Sequence, residues 1–171
     1  MNIRYVCSEA DRRTDEVLAH VAERAAAAGI VLAGAVQPVD RSQPSEKCRI
    51  VLRLLPEGPL CDVSMDLGPG ASGCRLDAGA LEQAMVTVNE RLPGAQALVV
   101  NKFGKQEVAG RGLVEAIGGC VTERAIPVLV GVSPEWLPAF LSFADGEAEP
   151  LPADEDLVFD WLREAVTGAM V

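Results

Sequence analysis

Residues 3–17, "IRYVCSEADRRTDEV", contain the pattern on which the fold prediction depends. A short apolar run predicts a strand, a polar loop follows, and apolar residues then recur at helical spacing. Thr14 is a candidate N-cap for this helix, and Gly29 is expected to end it. Residues 30–39, "IVLAGAVQPV", predict a second strand. A strand, a helix and a strand in this order form the unit from which parallel sheets are built.

The rest of the chain continues this alternation of strands and helices. The predicted elements, in chain order, are a hairpin of 48–55 and 61–67, a helix starting near Asp77, a strand at 95–100, a helix at about 107–120, a strand at 126–132, a short helix or irregular segment at 134–146, and a last helix with Leu157, Val158, Trp161, Leu162 and Val166 on one face. Aromatic residues make up only 4% of the 171 residues, which favours helices on an aliphatic sheet over an all-β sandwich. Residues 1–171 therefore predict a single α/β domain with a mostly parallel sheet.

The acidic charge of the chain is concentrated near its C-terminus. The net charge is −10, and residues 133–171 contribute nine acids and one arginine, which is −8. The simplest interpretation is a solvated face, and nucleic-acid binding is disfavoured because it needs a basic surface. No segment approaches the roughly 18 continuous apolar residues of a membrane-spanning helix, and the N-terminus does not resemble a signal peptide. We therefore expect a cytoplasmic protein without membrane insertion.

The cysteines and the single histidine give little support to a metal centre or to a catalytic triad. The five cysteines are dispersed without a C-x-x-C pair: Cys7, Cys48, Cys61, Cys74 and Cys120. They are expected to be reduced thiols, with a redox or soft-metal role for Cys74 as the alternative. His20 has no paired acid or nucleophile in the sequence, so a triad is not expected. We assign no metal ligand and no catalytic residue.

Three loops are expected at the carboxyl ends of strands, where open parallel sheets bind ligands: 7–14, 101–107 and 131–136. The first has the spacing of a P-loop, G-x-x-x-x-G-K-[ST]. The residues at its four fixed positions are Cys7, Arg12, Arg13 and Thr14. Both glycines are absent, and Cys and Arg are expected to resist the positive φ angles that a phosphate loop uses. This P-loop is therefore degenerate, although Arg13 and Thr14 remain candidate ligand-binding residues.

Residues 98–107, "LVVNKFGKQE", change abruptly from an apolar run to a cationic loop. "NKFGKQE" resembles the "DEIGKME" stretch of the small thermophilic nucleoside-triphosphatases, a P-loop family. With "GCRLD", "NKFGKQEVAGRGL" and "IPVLVGV", the chain resembles more closely an uncharacterised bacterial domain family whose members are often encoded near molybdate-transport genes. This resemblance runs from the first strand to "LVFDWLREAV" and implies a three-layer α/β/α fold with P-loop NTPase-like topology.

The resemblance also implies a loss of metal-binding acids. In the nucleoside-triphosphatases, the acids of this stretch hold Mg²⁺ and activate the attacking water. Asn101 and Lys102 occupy the two acidic positions here, while Gly104, Lys105 and Glu107 are retained. An amide is a poor magnesium ligand and an ammonium group repels the metal, so efficient nucleotide hydrolysis is not expected.

The same loop predicts an anion site that needs no metal. Its candidate residues share positive charge, hydrogen-bonding capacity or a place in the adjoining loops: Asn101, Lys102, Lys105, Glu107, Arg111, Arg75 and Asp77. The ordinary alternative is that Lys102 or Lys105 pairs with Glu107 or Asp77 and only holds two loops together.

The leading functional prediction is a binding protein for a nucleotide phosphate or a tetrahedral oxyanion such as molybdate, with little or no catalysis. One alternative is an active nucleoside-triphosphatase that uses Arg13, Thr14 and Glu107. Another is a regulatory module whose acidic segment contacts a protein partner or a second copy of the chain.

Overall fold

A computed structural model describes residues 2–10, 12–39, 49–65 and 76–170. The strands are β1 (Ile3–Val6), β2 (Leu32–Val36), β3 (Val51–Leu54), β4 (Leu60–Asp62), β5 (Ala97–Phe103), β6 (Val128–Val132) and β7 (Glu149–Leu151). The helices are α1 (Arg13–Ala27), α2 (Ala78–Arg91), α3 (Lys105–Val108), α4 (Val114–Gly119), α5 (Leu137–Phe143) and α6 (Glu155–Ala169). The predictions that concern Cys48, Cys74 and Arg75 lie outside the described residues.

The strands form one sheet in the order β4-β3-β2-β5-β6-β1-β7. Strands β2, β5, β6, β1 and β7 run parallel, whereas β3 and β4 pair antiparallel as the predicted hairpin. The predicted α/β fold with a mostly parallel sheet is confirmed. Strand β7 was not predicted because it has three residues, one of them Pro150, and so shows no alternating pattern.

Apolar side chains cover both faces of the sheet. Residues 97–100 of β5 are fully buried, as expected for a central parallel strand. Helices α1 and α6 pack on one face, and α2, α4 and α5 pack on the other. On the second face Phe140 meets Tyr5 and Phe103 edge to face, with ring centroids 5.4 and 5.2 Å apart. These two apolar layers give the three-layer α/β/α arrangement. Among the described residues, no helix combines the length and the apolar character needed to cross a bilayer.

Helix α1 begins differently from the prediction. The N-cap is Arg12, in the left-handed conformation with φ of 60°, and its side chain makes no capping bond. Thr14, predicted as the N-cap, is instead buried inside the first turn, where its hydroxyl accepts a hydrogen bond from the Ser8 N–H at 3.2 Å. The loop reaches back to this hydroxyl, so the threonine stabilises the loop instead of the helix end.

Two other helix predictions are also corrected. The predicted helix at 107–120 is divided into α3 and α4, because Gly110 and Gly112 between them have positive φ angles of 77° and 63°. In α6, Leu157 is 53% exposed and does not join the buried face. That face is formed by Val158, Phe159, Leu162 and Val166. By contrast, Asp77 caps α2 as expected, accepting a hydrogen bond from the Ala80 N–H at 3.1 Å.

His20 has an acidic partner that the sequence did not reveal. Its Nδ1 lies 2.7 Å from Oε1 of Glu155 in α6, 135 positions away in the chain. Helix packing brings the two together, since α1 and α6 lie side by side on the same sheet face. Asp156 lies 2.7 Å from Arg24 of α1, and Glu149 and Asp160 pair with Arg4 and Arg163. At least four of the C-terminal acids therefore have partners among the described residues.

Gly34 allows two central strands to approach. It has a φ of 112°, lies opposite Val99 in the β2–β5 pairing, and a Cβ there would overlap the Val99 carbonyl oxygen. We expect Gly34→Ala to lower the free energy of unfolding by at least about 3 kcal/mol, since strain and overlap add together. Urea denaturation followed by circular dichroism measures this.

The matched control for this prediction is Gly168→Ala near the end of α6, where a Cβ meets no atom within 4 Å. There the free energy of unfolding should stay the same or rise by up to about 1 kcal/mol. Equal effects of the two substitutions would show that the β2–β5 approach does not depend on Gly34.

Candidate functional site

A cleft lies at the edge of the sheet where β1, β5 and β6 end. Its volume is about 200 Å³, and it is bordered by the β1–α1 loop, by Lys102 of β5 and by the start of the segment that follows β6. The lining side chains that carry charge or a hydroxyl group include Glu9, Arg12, Thr14, Asp15, Lys102 and Ser133. Of the residues predicted from the sequence, Thr14 and Lys102 lie here. The cleft occupies the position in which parallel sheets bind ligands.

The β1–α1 loop uses several of its own backbone donors internally. The Ala10 N–H donates to the Ser8 hydroxyl at 3.1 Å, and the Arg13 N–H donates to the Ala10 carbonyl at 3.2 Å. With the Ser8 N–H bonded to Thr14, three N–H groups of the loop are engaged within it. A P-loop would direct such groups at phosphate. These three N–H groups are therefore not directed at an anion in the cleft.

Arg12 occupies the second glycine position of the P-loop spacing. Our expectation that arginine would resist a positive φ there is wrong, since Arg12 adopts 60°. This conformation costs a non-glycine residue about 1 kcal/mol. Its side chain is exposed and borders the cleft, so Arg12 contributes positive charge at the mouth of the site.

Arg13, at the lysine position of the spacing, points away from the cleft. Its Nε donates to the Ala153 carbonyl at 3.1 Å, and its guanidinium lies 3.6 Å from Glu155 and 3.7 Å from Glu16. These contacts join the start of α1 to the start of α6. In this structure, Arg13 anchors the C-terminal helix.

Lys102 pairs with Asp15 of α1. Its Nζ lies 3.8 Å from Oδ2 of Asp15; the lysine side chain is 55% exposed and the aspartate side chain only 8%. The alternative in which Lys102 or Lys105 pairs with Glu107 or Asp77 is wrong for the described residues, where no such ion pair occurs. The physical reason is that the carboxylates of Asp77 and Glu107 bind backbone N–H groups, while α1 brings Asp15 to the end of β5.

Asn101 is buried, at 5% exposed, and both ends of its amide have partners. Its Oδ1 accepts from the Gln37 N–H at 3.0 Å, and its Nδ2 donates to Oδ1 of Asp15 at 3.5 Å. Successive residues of a regular strand point to opposite faces, but the β5–β6 register shifts between Val100 and Phe103. At this irregular part of the strand, the consecutive residues Asn101 and Lys102 both contact Asp15.

Glu107 is directed into its own loop. It is 7% exposed; its Oε2 accepts from the Gly104 N–H at 3.0 Å and its Oε1 from the Leu113 N–H at 3.4 Å. Burial raises the pKa of the Glu107 carboxyl, and the backbone hydrogen bonds oppose this shift only in part. The Glu107 side chain thus stabilises the conformation of residues 104–113 through these hydrogen bonds.

The remaining predicted residues lie outside the cleft lining. Lys105 is exposed in α3, and the exposed Arg111 donates from Nε to Oε1 of Gln106 at 3.1 Å. Asp77 belongs to the cap of α2. Sequence reasoning missed Arg12 and Asp15 as site residues. The P-loop spacing marked Arg12 only as a lost glycine, and Asp15 had the ordinary position of an acid in a first helical turn.

Thiols and acids do not converge on a metal position in the part of the chain that the structure describes. Cys7, Cys61 and Cys120 are free thiols. Burial raises the pKa of the Cys120 thiol to about 11, which makes it a poor nucleophile.

Comparison with known proteins identifies a family that the sequence matches and solved structures that share its fold. A family model described as "Protein of unknown function (DUF2478)" matches residues 3–161. Molybdenum import ATP-binding protein ModC 2 of Bradyrhizobium diazoefficiens is 32% identical over 153 residues, covering 88% of this chain and 17% of that protein. The chain therefore spans less than a fifth of this relative's length.

Two solved structures share the fold. The crystal structure of THEP1 from the hyperthermophile Aquifex aeolicus has a TM-score of 0.66 at 12% identity, covering 99% of this chain and 96% of that one. The solution structure of a human cancer-related nucleoside triphosphatase has a TM-score of 0.65 at 15% identity, covering 98% and 97%. The predicted P-loop NTPase-like fold and the family resemblance are confirmed.

The Glu107 carboxyl predicts a pH dependence of stability. Because its folded-state pKa is raised above the ordinary 4.5, the folded chain binds this proton more tightly than the unfolded chain does. Its contribution to the free energy of unfolding is therefore greatest below pH 4.5 and is lost as pH rises through the raised pKa. Wild type should lose stability over this range relative to Glu107→Gln, as measured by urea denaturation at a series of pH values. A wild-type stability that stays constant or rises with pH relative to Glu107→Gln over this range would contradict the assignment.

Proposed function

The chain belongs to the family described as "Protein of unknown function (DUF2478)", and we propose that it binds a phosphate group or a similar oxyanion in the cleft beside Lys102. The anion is either free or part of a nucleotide, and it is bound without efficient hydrolysis. One observation carries this proposal. The ammonium group of Lys102 lies 3.8 Å from Asp15, the residue after Thr14, at the end of a central strand. P-loop NTPases hold Mg²⁺ at such a place, between the P-loop hydroxyl and a strand-end carboxylate.

The residues at the cleft can replace part of what the metal supplies. The Lys102 ammonium is a compact point charge with three donors, and Arg12 adds a guanidinium at the mouth. The Thr14 hydroxyl accepts from Ser8 and still has its own proton to donate. Helix α1, with 15 residues, directs the positive end of its dipole to this side of the sheet. Together these groups favour an anion without requiring a divalent cation.

The same geometry disfavours hydrolysis. Activation of water needs a group that can accept a proton at the reacting centre. The Asn101 amide cannot do this and is occupied by Gln37 and Asp15. The Glu107 carboxylate is turned to the N–H groups of Gly104 and Leu113. Neither residue faces the cleft as a base would. Of the two carboxylates in the described part of the chain that do line it, Glu9 and Asp15, the second is held by the Lys102 ammonium and the Asn101 amide.

Molybdate is one candidate for the bound oxyanion. The support is the name of the relative from Bradyrhizobium diazoefficiens, which describes a molybdenum import ATP-binding protein. Phosphate and molybdate are both tetrahedral oxyanions, and the cleft residues that the structure describes have no feature of size or shape that selects between them. A cytoplasmic location and a single-domain organisation also remain predictions. The alternative of a regulatory acidic surface has less support, since Glu155 and Asp156 pair with His20 and Arg24 within the chain.

We expect Lys102→Ala to weaken the binding of inorganic phosphate by about tenfold, because the substitution removes a cation that lines the cleft. Isothermal titration calorimetry at low ionic strength measures the dissociation constant. Lys105→Ala is the matched control, because Lys105 is exposed and lies outside the cleft lining. Its dissociation constant should stay within about twofold of wild type.

Two results would contradict the proposal. Equal weakening by both lysine substitutions would indicate general charge attraction and no specific site. Steady Mg²⁺-dependent release of phosphate from ATP or GTP that Lys102→Ala abolishes would support the nucleoside-triphosphatase alternative.

A further inference from the structure

A carboxylate lies directly beside the cation at which the anion is proposed to bind. The Lys102 Nζ is 3.8 Å from Oδ2 of Asp15, and both residues line the cleft. An oxyanion that binds this ammonium group therefore also lies next to the Asp15 carboxylate. The ligand has to suit a cation and an acid at the same place.

The Asp15 carboxylate is held in this position. Its side chain is only 8% exposed, and its Oδ1 accepts a hydrogen bond from the Asn101 Nδ2 at 3.5 Å. Burial and this hydrogen bond restrict its movement away from an anion, whereas Glu9 of the same cleft lining is exposed and can turn into solvent. Repulsion between like charges is also stronger where water is partly excluded.

A proton on the ligand removes the conflict with Asp15. An ionised carboxylate has only acceptor sites, so it repels an oxygen that lacks a proton but accepts a strong hydrogen bond from an O–H group. Monohydrogen phosphate carries one O–H group and three oxygens without a proton. Sulfate and molybdate carry no O–H group in neutral or alkaline solution, and a phosphate monoester loses its last proton at a pKa of about 6.

The donor groups of the cleft suit the three oxygens that lack a proton. The Lys102 ammonium and the Arg12 guanidinium are donors without acceptor sites. The Thr14 hydroxyl accepts from the Ser8 N–H at 3.2 Å and still has its own proton to donate. These three donor side chains, with Asp15 as the acceptor, match the three oxygens and the one O–H group of monohydrogen phosphate.

We propose that the cleft selects free monohydrogen phosphate, and that Asp15 is the specificity-determining residue because it accepts a hydrogen bond from the O–H group of the ligand. This inference rests on the proposed function and names one ligand among its candidates. It favours inorganic phosphate over molybdate, sulfate and the phosphate of a nucleotide.

The test compares ligands that are all dianions and differ in whether they carry a proton. Calorimetric titrations are made at constant ionic strength and at a mildly alkaline pH, where phosphate is mainly the monohydrogen dianion. The ligands are phosphate, monofluorophosphate, sulfate, molybdate and adenosine monophosphate. Monofluorophosphate is the sharpest comparison, because fluorine replaces the O–H group without a change of charge. We expect phosphate to bind at least about tenfold more tightly than each of the other ligands.

Two substitutions locate the source of this preference. In Asp15→Asn, the side-chain amide can donate to an oxygen that lacks a proton, so the preference for phosphate over monofluorophosphate should fall to within about threefold. Glu9→Gln is the matched control, because it removes an equal charge from the exposed acid of the same lining. It should leave the ratio of the two affinities as in wild type.

The outcomes separate the two proposals. If none of the ligands binds, the proposed function fails and the selectivity fails with it. If monofluorophosphate binds wild type as tightly as phosphate does, anion binding stands but the selectivity is wrong, and this comparison needs no variant. If wild type shows the preference and Asp15→Asn retains it, the role assigned to Asp15 is wrong. Tighter binding of adenosine monophosphate than of phosphate would contradict the assignment of a free oxyanion.

Discussion

The contact between Asp15 and the end of β5 is the interaction on which the cleft depends. A buried carboxylate is costly unless charges or donors compensate it. Here the Lys102 ammonium, the Asn101 amide and the positive end of α1 provide that compensation. Asp15 belongs to the first turn of α1, whereas Lys102 and Asn101 belong to β5. The contacts that compensate the Asp15 charge therefore hold the helix against the strand. In the proposed function, the Lys102 ammonium group takes the place that Mg²⁺ has in P-loop NTPases.

Close packing of the backbone makes this contact possible. A Cβ at Gly131 of β6 would overlap the Asn101 carbonyl oxygen and press against Leu18 and Thr14 of α1. The absence of a side chain there lets α1, β5 and β6 meet at one corner. Asn101 extends the contact to β2 through the Gln37 N–H. The cleft is therefore built on packed strand ends and a helix start, which is the kind of support that holds site residues in place.

Local patterns were sufficient to predict most of the fold but not the partners within the site. Apolar periodicity predicted the α/β alternation, the hairpin and the capped start of α2, because each depends on residues close in the chain. The pairs Asn101–Asp15 and His20–Glu155 join positions 86 and 135 residues apart, and no local pattern encodes them. Glu107 kept its place in the family motif, yet burial and backbone donors give it a local role. Similarity of sequence predicted the fold more reliably than it predicted the orientation of individual side chains.

The most direct test of the account is the Mg²⁺ dependence of phosphate binding by the wild-type protein. If the Lys102 ammonium has replaced the metal, the dissociation constant for inorganic phosphate should agree within about twofold between excess EDTA and millimolar Mg²⁺. Tightening by about tenfold or more on addition of Mg²⁺ would show that the cleft still uses a divalent cation and would contradict the central claim.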